Sequence, residues 1–168
     1  RKCFFPRFSL SAGTQAEIEC PIGTVGVGSK GPHVSACLAC PPGSYCDRMG
    51  SAVPTDSCPP GKFCGGGVAS ANAATACPEG FYCPEGSAVP FACKAGQYCQ
   101  GTSLVEPSGP CQPNTHCPAG TSEPEGIACP RGSYCPGDTD PLPCPPGTYS
   151  DVEGIASVDQ CKRCPSGS

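Results

Sequence analysis

Apolar side chains are sparse and unpatterned along this chain. Leu, Ile, Val and Phe together supply 23 of 168 residues, and nowhere do they recur at helical spacing over a useful length. Pro or Gly interrupts the sequence every few residues. The pattern therefore predicts essentially no helix, strands of about two to four residues, tight turns and much irregular chain. No stretch approaches the roughly 18 apolar residues that a membrane-crossing helix needs. So low an apolar fraction does not build an ordinary core at this length, and something else must order the chain.

Composition supplies the alternative. The chain holds 18 Cys, 23 Gly and 23 Pro, and cross-links replace apolar burial in small loop-rich modules by restricting the unfolded chain. Persistent disulfides require an oxidising compartment, so an extracellular setting is expected, secreted or at a cell surface. The chain opens at Arg1 with no secretory leader visible, which suggests a processed product or a segment of a longer one. A formal charge of -4 without long runs of either sign gives no basis for binding nucleic acid.

Cysteine also marks an internal repeat. The unit Cys-Pro-x-Gly-x-aromatic-Cys reads CPPGSYC from Cys40, CPPGKFC from Cys58, CPEGFYC from Cys77, CKAGQYC from Cys93, CQPNTHC from Cys111 and CPRGSYC from Cys129, at spacings of 18, 19, 16, 18 and 18. Pro fixes φ, and Gly supplies the positive φ of a tight turn. In the fifth copy Asn114 holds the Gly slot, the non-glycine residue that best tolerates that region, which favours a turn over a ligand contact. Tyr45, Phe63, Tyr82, Tyr98, His116 and Tyr134 fill the aromatic slot as packing residues over neighbouring disulfides.

Two longer units of spacing C-x16-C-x2-C bracket the short ones, Cys20 to Cys40 and Cys144 to Cys164, with every cysteine offset by 124. The expected organisation is an N-terminal cap or docking arm at 1–19, a long cysteine-rich module at 20–39, six short repeats at 40–143, and a second long module at 144–168 that stops at the start of another repeat. The 168 residues thus resemble an excerpt of a longer array, or a subunit completed by a neighbour. Phe4, Phe5 and Phe8 beside Cys3 form an apolar cluster that either caps the first repeat or docks an adjacent subunit.

Spacing alone does not fix the pairing. One scheme joins Cys20 to Cys37, Cys144 to Cys161, and the two cysteines of each short unit: Cys40 and Cys46, Cys58 and Cys64, Cys77 and Cys83, Cys93 and Cys99, Cys111 and Cys117, Cys129 and Cys135. A competing ladder joins each unit to the next, as in Cys46 to Cys58. The first scheme leaves Cys3 and Cys164 for a bond between subunits, or Cys164 for a residue beyond this segment.

The long unit CPPGTYSDVEGIASVDQCKRCPSGS resembles the cysteine-rich module of ephrin-receptor-like extracellular proteins. CPIGTVGVGSKGPHVSACLAC keeps its cysteines but has Val25 in the Tyr149 position. The short units are similar to tandem cysteine repeats of large protist and algal surface proteins, including those of flagellar hairs. The resemblance spans residues 20 to 168 and implies spacers, ectodomains or filament subunits, with no catalytic residues to carry over.

Other chemistry is weaker. Cys37-x2-Cys40 and Cys161-x2-Cys164 have zinc-like spacing, but the remaining cysteines sit in C-x5-C pairs without His partners. His33 and His116 lie in repeat or loop contexts rather than beside a nucleophile. Glu123 with Glu125 reads as solvated link, and Asp138 with Asp140 as at best a weak calcium pair. Neither Asn72 nor Asn114 begins an N-x-[ST] acceptor, so any glycan is O-linked. No enzyme activity and no cofactor are expected.

The fold expectation is a small disulfide-rich repeat protein, an elongated rod or solenoid of short β-hairpins, turns and irregular chain. The functional expectation is a structural subunit or segment of an extracellular fibre or cell-surface filament, self-associating end to end. Other matrix or surface proteins and O-linked glycans are further candidate partners. The alternative is a ligand-binding or adhesive ectodomain of a receptor-like surface protein.

Overall fold

The fold begins with one turn used eight times. In the computed structural model, which describes residues 19–26 and 37–165, the second residue of every unit closes a β-turn. The Ser44 amide donates to the Pro41 carbonyl at 3.2 Å, and the other seven units make the same bond at 3.0 to 3.3 Å. The third turn residue has φ of 77° to 82° in seven units and 73° at Asn114. A turn of this form needs a positive φ at that position, which explains Gly there and the one Asn.

Each turn launches a two-stranded antiparallel hairpin that ends on the dipeptide before the next unit's first cysteine. In chain order, β1 (Thr24–Gly26) pairs with β2 (Cys37–Ala39), β3 (Ser44–Tyr45) with β4 (Asp56–Ser57), β5 (Lys62–Phe63) with β6 (Thr75–Ala76), and β7 (Phe81–Tyr82) with β8 (Phe91–Ala92). Then β9 (Gln97–Tyr98) pairs with β10 (Gly109–Pro110), β11 (Thr115–His116) with β12 (Ile127–Ala128), β13 (Ser133–Tyr134) with β14 (Leu142–Pro143), and β15 (Thr148–Tyr149) with β16 (Lys162–Arg163). Among the described residues the helical content is two 3-10 turns, Ala71–Ala73 and Val158–Gln160. Ser70 caps the first by accepting from the Ala73 amide, and the Gln160 side chain accepts from the Ser157 amide beside the second.

The core is made of half-cystines. Ten cysteines, from Cys46 to Cys135, are completely buried and Cys40 nearly so, whereas Ala74 and Ile155 are the buried aliphatic side chains among the described residues. The bonds join Cys20 to Cys37, Cys40 to Cys46, Cys58 to Cys64, Cys77 to Cys83, Cys93 to Cys99, Cys111 to Cys117, Cys129 to Cys135 and Cys144 to Cys161. These are the pairs of the within-unit scheme. Closing a loop of six residues restricts the unfolded chain by about 2 kcal/mol, and one of seventeen by about 3 kcal/mol. The chain is thus a small disulfide-rich repeat protein of β-hairpins, and so many bonds fit an oxidising environment. No helix among the described residues is long and apolar enough to cross a membrane.

Candidate functional site

The most regular chemistry in the molecule is the backbone at the junctions between units, numbered here one to eight from Cys20, Cys40, Cys58, Cys77, Cys93, Cys111, Cys129 and Cys144. Two bonds tie each turn glycine to the following unit. The Gly43 amide donates to the Cys64 carbonyl at 2.8 Å, and the Gly43 carbonyl accepts from the Cys58 amide at 2.8 Å. Equivalent pairs run through units one to seven. At unit seven the acceptor for the Gly132 amide is the Ser150 carbonyl. Ser150 stands in the slot that a second cysteine fills in the short units, because the long unit closes on Cys161 instead.

A second pair of bonds forms a clip from the loop after the next unit. The Gly67 amide donates to the Cys40 carbonyl at 2.8 Å, and the Cys46 amide donates to the Val68 carbonyl at 2.9 Å. The dipeptides Gly50-Ser51, Gly86-Ser87, Ser103-Leu104, Gly120-Thr121 and Gly154-Ile155 do the same for units one, three, four, five and seven. Their first residues all have positive φ, including Ser103 at 59°. The junction of units six and seven keeps the first pair of bonds and lacks both clip bonds. The loop from Cys135 to Cys144, between the last short unit and the second long one, is shorter than any loop between short units.

The clip loops also pack against the turn two units back. A Cβ on Gly23 would lie 2.8 Å from the Gly67 carbonyl oxygen, and one on Gly43 2.5 Å from that of Gly86. At Gly61, Gly80 and Gly96 the carbonyls of Ser103, Gly120 and Asp138 approach closer still, whereas Gly132 and Gly147 face open space. Glycine in the first five units therefore answers two demands, a left-handed φ and a backbone two units away. The sequence supplies a clear reason only for the first. A Gly three or four residues past the second cysteine was the available signal for the clip.

The aromatic slots lie on the first strand of each hairpin, half-buried, opposite the residue two before the next cysteine. Tyr45 faces Asp56, Phe63 Thr75, Tyr98 Gly109, Tyr134 Leu142 and His116 Ile127. Tyr82 and Phe91 have ring centroids 5.9 Å apart. Cross-strand contacts of this kind are the unit of sheet stabilisation.

Other candidate groups do not converge. Cys37, Cys40 and Cys161 are disulfide-bonded, so the two C-x2-C pairs hold no set of free thiolates for zinc. No group of three or more potential metal ligands occurs among the described residues. Asp138 and Asp140 are exposed. Glu123 and Glu125 border an open depression of about 460 Å³ with Thr121 and Ile127, and Glu123 accepts from the Gln100 side chain at 3.4 Å.

Near the C-terminal module, Lys162 Nζ lies 2.8 Å from Asp151 Oδ1. This hydrogen bond holds the Asp151 carboxyl below its ordinary range and raises the Lys162 ammonium above its own. Cys164 is exposed, with no disulfide partner among the described residues, and its amide donates to the Gly147 carbonyl at 2.9 Å. Cys3, Phe4, Phe5, Phe8 and His33 lie outside the described residues. No protein-family model matches the chain, and no curated protein matches its sequence.

Proposed function

We propose that this chain is a structural subunit or segment of an extracellular fibre or cell-surface filament, a disulfide-locked rod of the kind its ephrin-receptor-like repeats suggest. The observation that carries this reading is the junction itself. Among the described residues each backbone hydrogen bond between units joins a unit to its immediate neighbour, and the same pair of bonds recurs from Gly23 to Gly132. An array built from one repeated junction grows along a single direction. Its bonds are main-chain bonds, which leave the side chains of the links free to vary. Secretion or display at a cell surface, end-to-end self-association and O-linked glycan on link Ser and Thr residues belong to the same reading.

A receptor or adhesin ectodomain draws support from the exposed apolar side chains of Phe91, Ile127 and Leu38 on the second hairpin strands. The experiment that separates the two is small-angle scattering combined with sedimentation over a concentration series. A fibre subunit gains mass and length at constant cross-section. A chain that stays monomeric at every concentration, or forms compact oligomers, refutes the structural reading.

A further inference from the structure

We infer that the array is an extensible tether, which lengthens under tension one unit at a time and yields first at the joint between units six and seven. The inference rests on the structural reading above and adds a mechanical activity to it.

The disulfides divide the chain into locked and releasable length. Six bonds span 6 residues each and two span 17, all inside single units. Among the described residues no disulfide crosses a junction. Between Cys20 and Cys161 they short-circuit 70 of the 141 residue steps, and 71 remain free to extend. The releasable pieces are the 3 steps from Cys37 to Cys40 and six links, from 9 steps between Cys135 and Cys144 to 13 between Cys64 and Cys77. At about 3.5 Å per extended residue a typical link yields roughly 3 to 4 nm.

What resists the pull is the junction, a set of four backbone hydrogen bonds in units one to five and seven. Among the described residues these contacts join positions no more than two units apart, so the array can open locally. The sixth junction has two such bonds, from the Asn114 amide to the Cys135 carbonyl at 3.1 Å and from the Cys129 amide to the Asn114 carbonyl at 2.9 Å. Its turn also carries Asn114 in place of the glycine that is packed under a later loop in units one to five.

Single-molecule stretching of the whole chain, held by tags at both termini, tests this. The oxidised chain should lengthen in steps of roughly 3 to 4 nm. Full reduction should add about 20 nm to the final extension, the 70 locked steps less the eight bridge spans. Native-state hydrogen exchange on the unloaded chain should show the Asn114 and Cys129 amides exchanging at least tenfold faster than those of Gly61 and Cys77. Rupture in a single event, an extension unchanged by reduction, or uniform exchange across these four amides overturns the inference. Failure to find filaments would instead sink the fibre reading and leave the stretching result standing.

Discussion

Gly61 and Gly132 form a matched pair, because both occupy the turn slot with φ of 77° and differ only in what surrounds them. At Gly132 an added Cβ meets nothing within 4 Å, whereas at Gly61 it runs into the Ser103 carbonyl. Gly132→Ala should therefore cost the left-handed penalty alone, about 1 to 2 kcal/mol. Gly61→Ala should cost that penalty plus about 1 to 3 kcal/mol of overpacking, because the obstruction is backbone rather than a yielding side chain. The difference isolates the contact between units three and five. Since repeat arrays open locally, hydrogen exchange with disulfides intact is the suitable assay. The probes are the Cys77 amide, bonded to the Gly61 carbonyl, and the Cys144 amide, bonded to that of Gly132. An excess of 1 to 3 kcal/mol corresponds to roughly 5-fold to 150-fold more protection lost at Cys77 than at Cys144. Equal losses at the two sites would refute the stacking of loops on turns two units back.

Graded reduction of the native chain followed by alkylation and peptide mapping should label Cys161 and Cys144, which are only half-buried, before Cys58 and Cys64, which are fully buried; the reverse order would contradict the placement of the core. Without reductant, a thiol reagent should modify Cys164 on the native chain and leave the sixteen bonded cysteines untouched, a result read by peptide-level mass spectrometry as a labelled Cys164 peptide that Cys164→Ser removes. The Asp151 carboxyl should titrate below 3.8 by NMR and return toward that value in Lys162→Met. Its depressed folded value means the ion pair's contribution is present above the unfolded pKa and is lost as pH falls through the folded one. The raised Lys162 means the contribution persists below 10.5 and is lost as pH climbs beyond that. Both side chains are solvent-exposed, so salt should weaken the pair across this whole window.

The hairpin turns were legible in the sequence because Pro-x-Gly at fixed distance from two cysteines writes a turn in side-chain language, and Asn114 in the Gly slot supported that reading. The absence of long helices and the shortness of the strands followed from the density of Pro and Gly. The second strands were not legible. Asp56–Ser57, Phe91–Ala92 and Gly109–Pro110 share no residue preference, since their position is set by where the next unit's cysteine must return. The clip was hidden for a related reason. It is made of main-chain amides and carbonyls, and its residues Val68, Ser87, Leu104 and Thr121 have in common only that each follows a residue of positive φ. Ser150 was equally hidden, although setting CPPGTYS beside CPRGSYC shows it in the position of Cys135. What holds one unit to the next is thus written mostly in backbone geometry, while what closes each unit is written in cysteine.

Electron microscopy of the native material tests the central proposal most directly. Filaments whose axial repeat matches the length of this array along the fibre are the predicted result. Isolated monomers or single membrane-tethered stalks, with no longitudinal contact between copies, would contradict it.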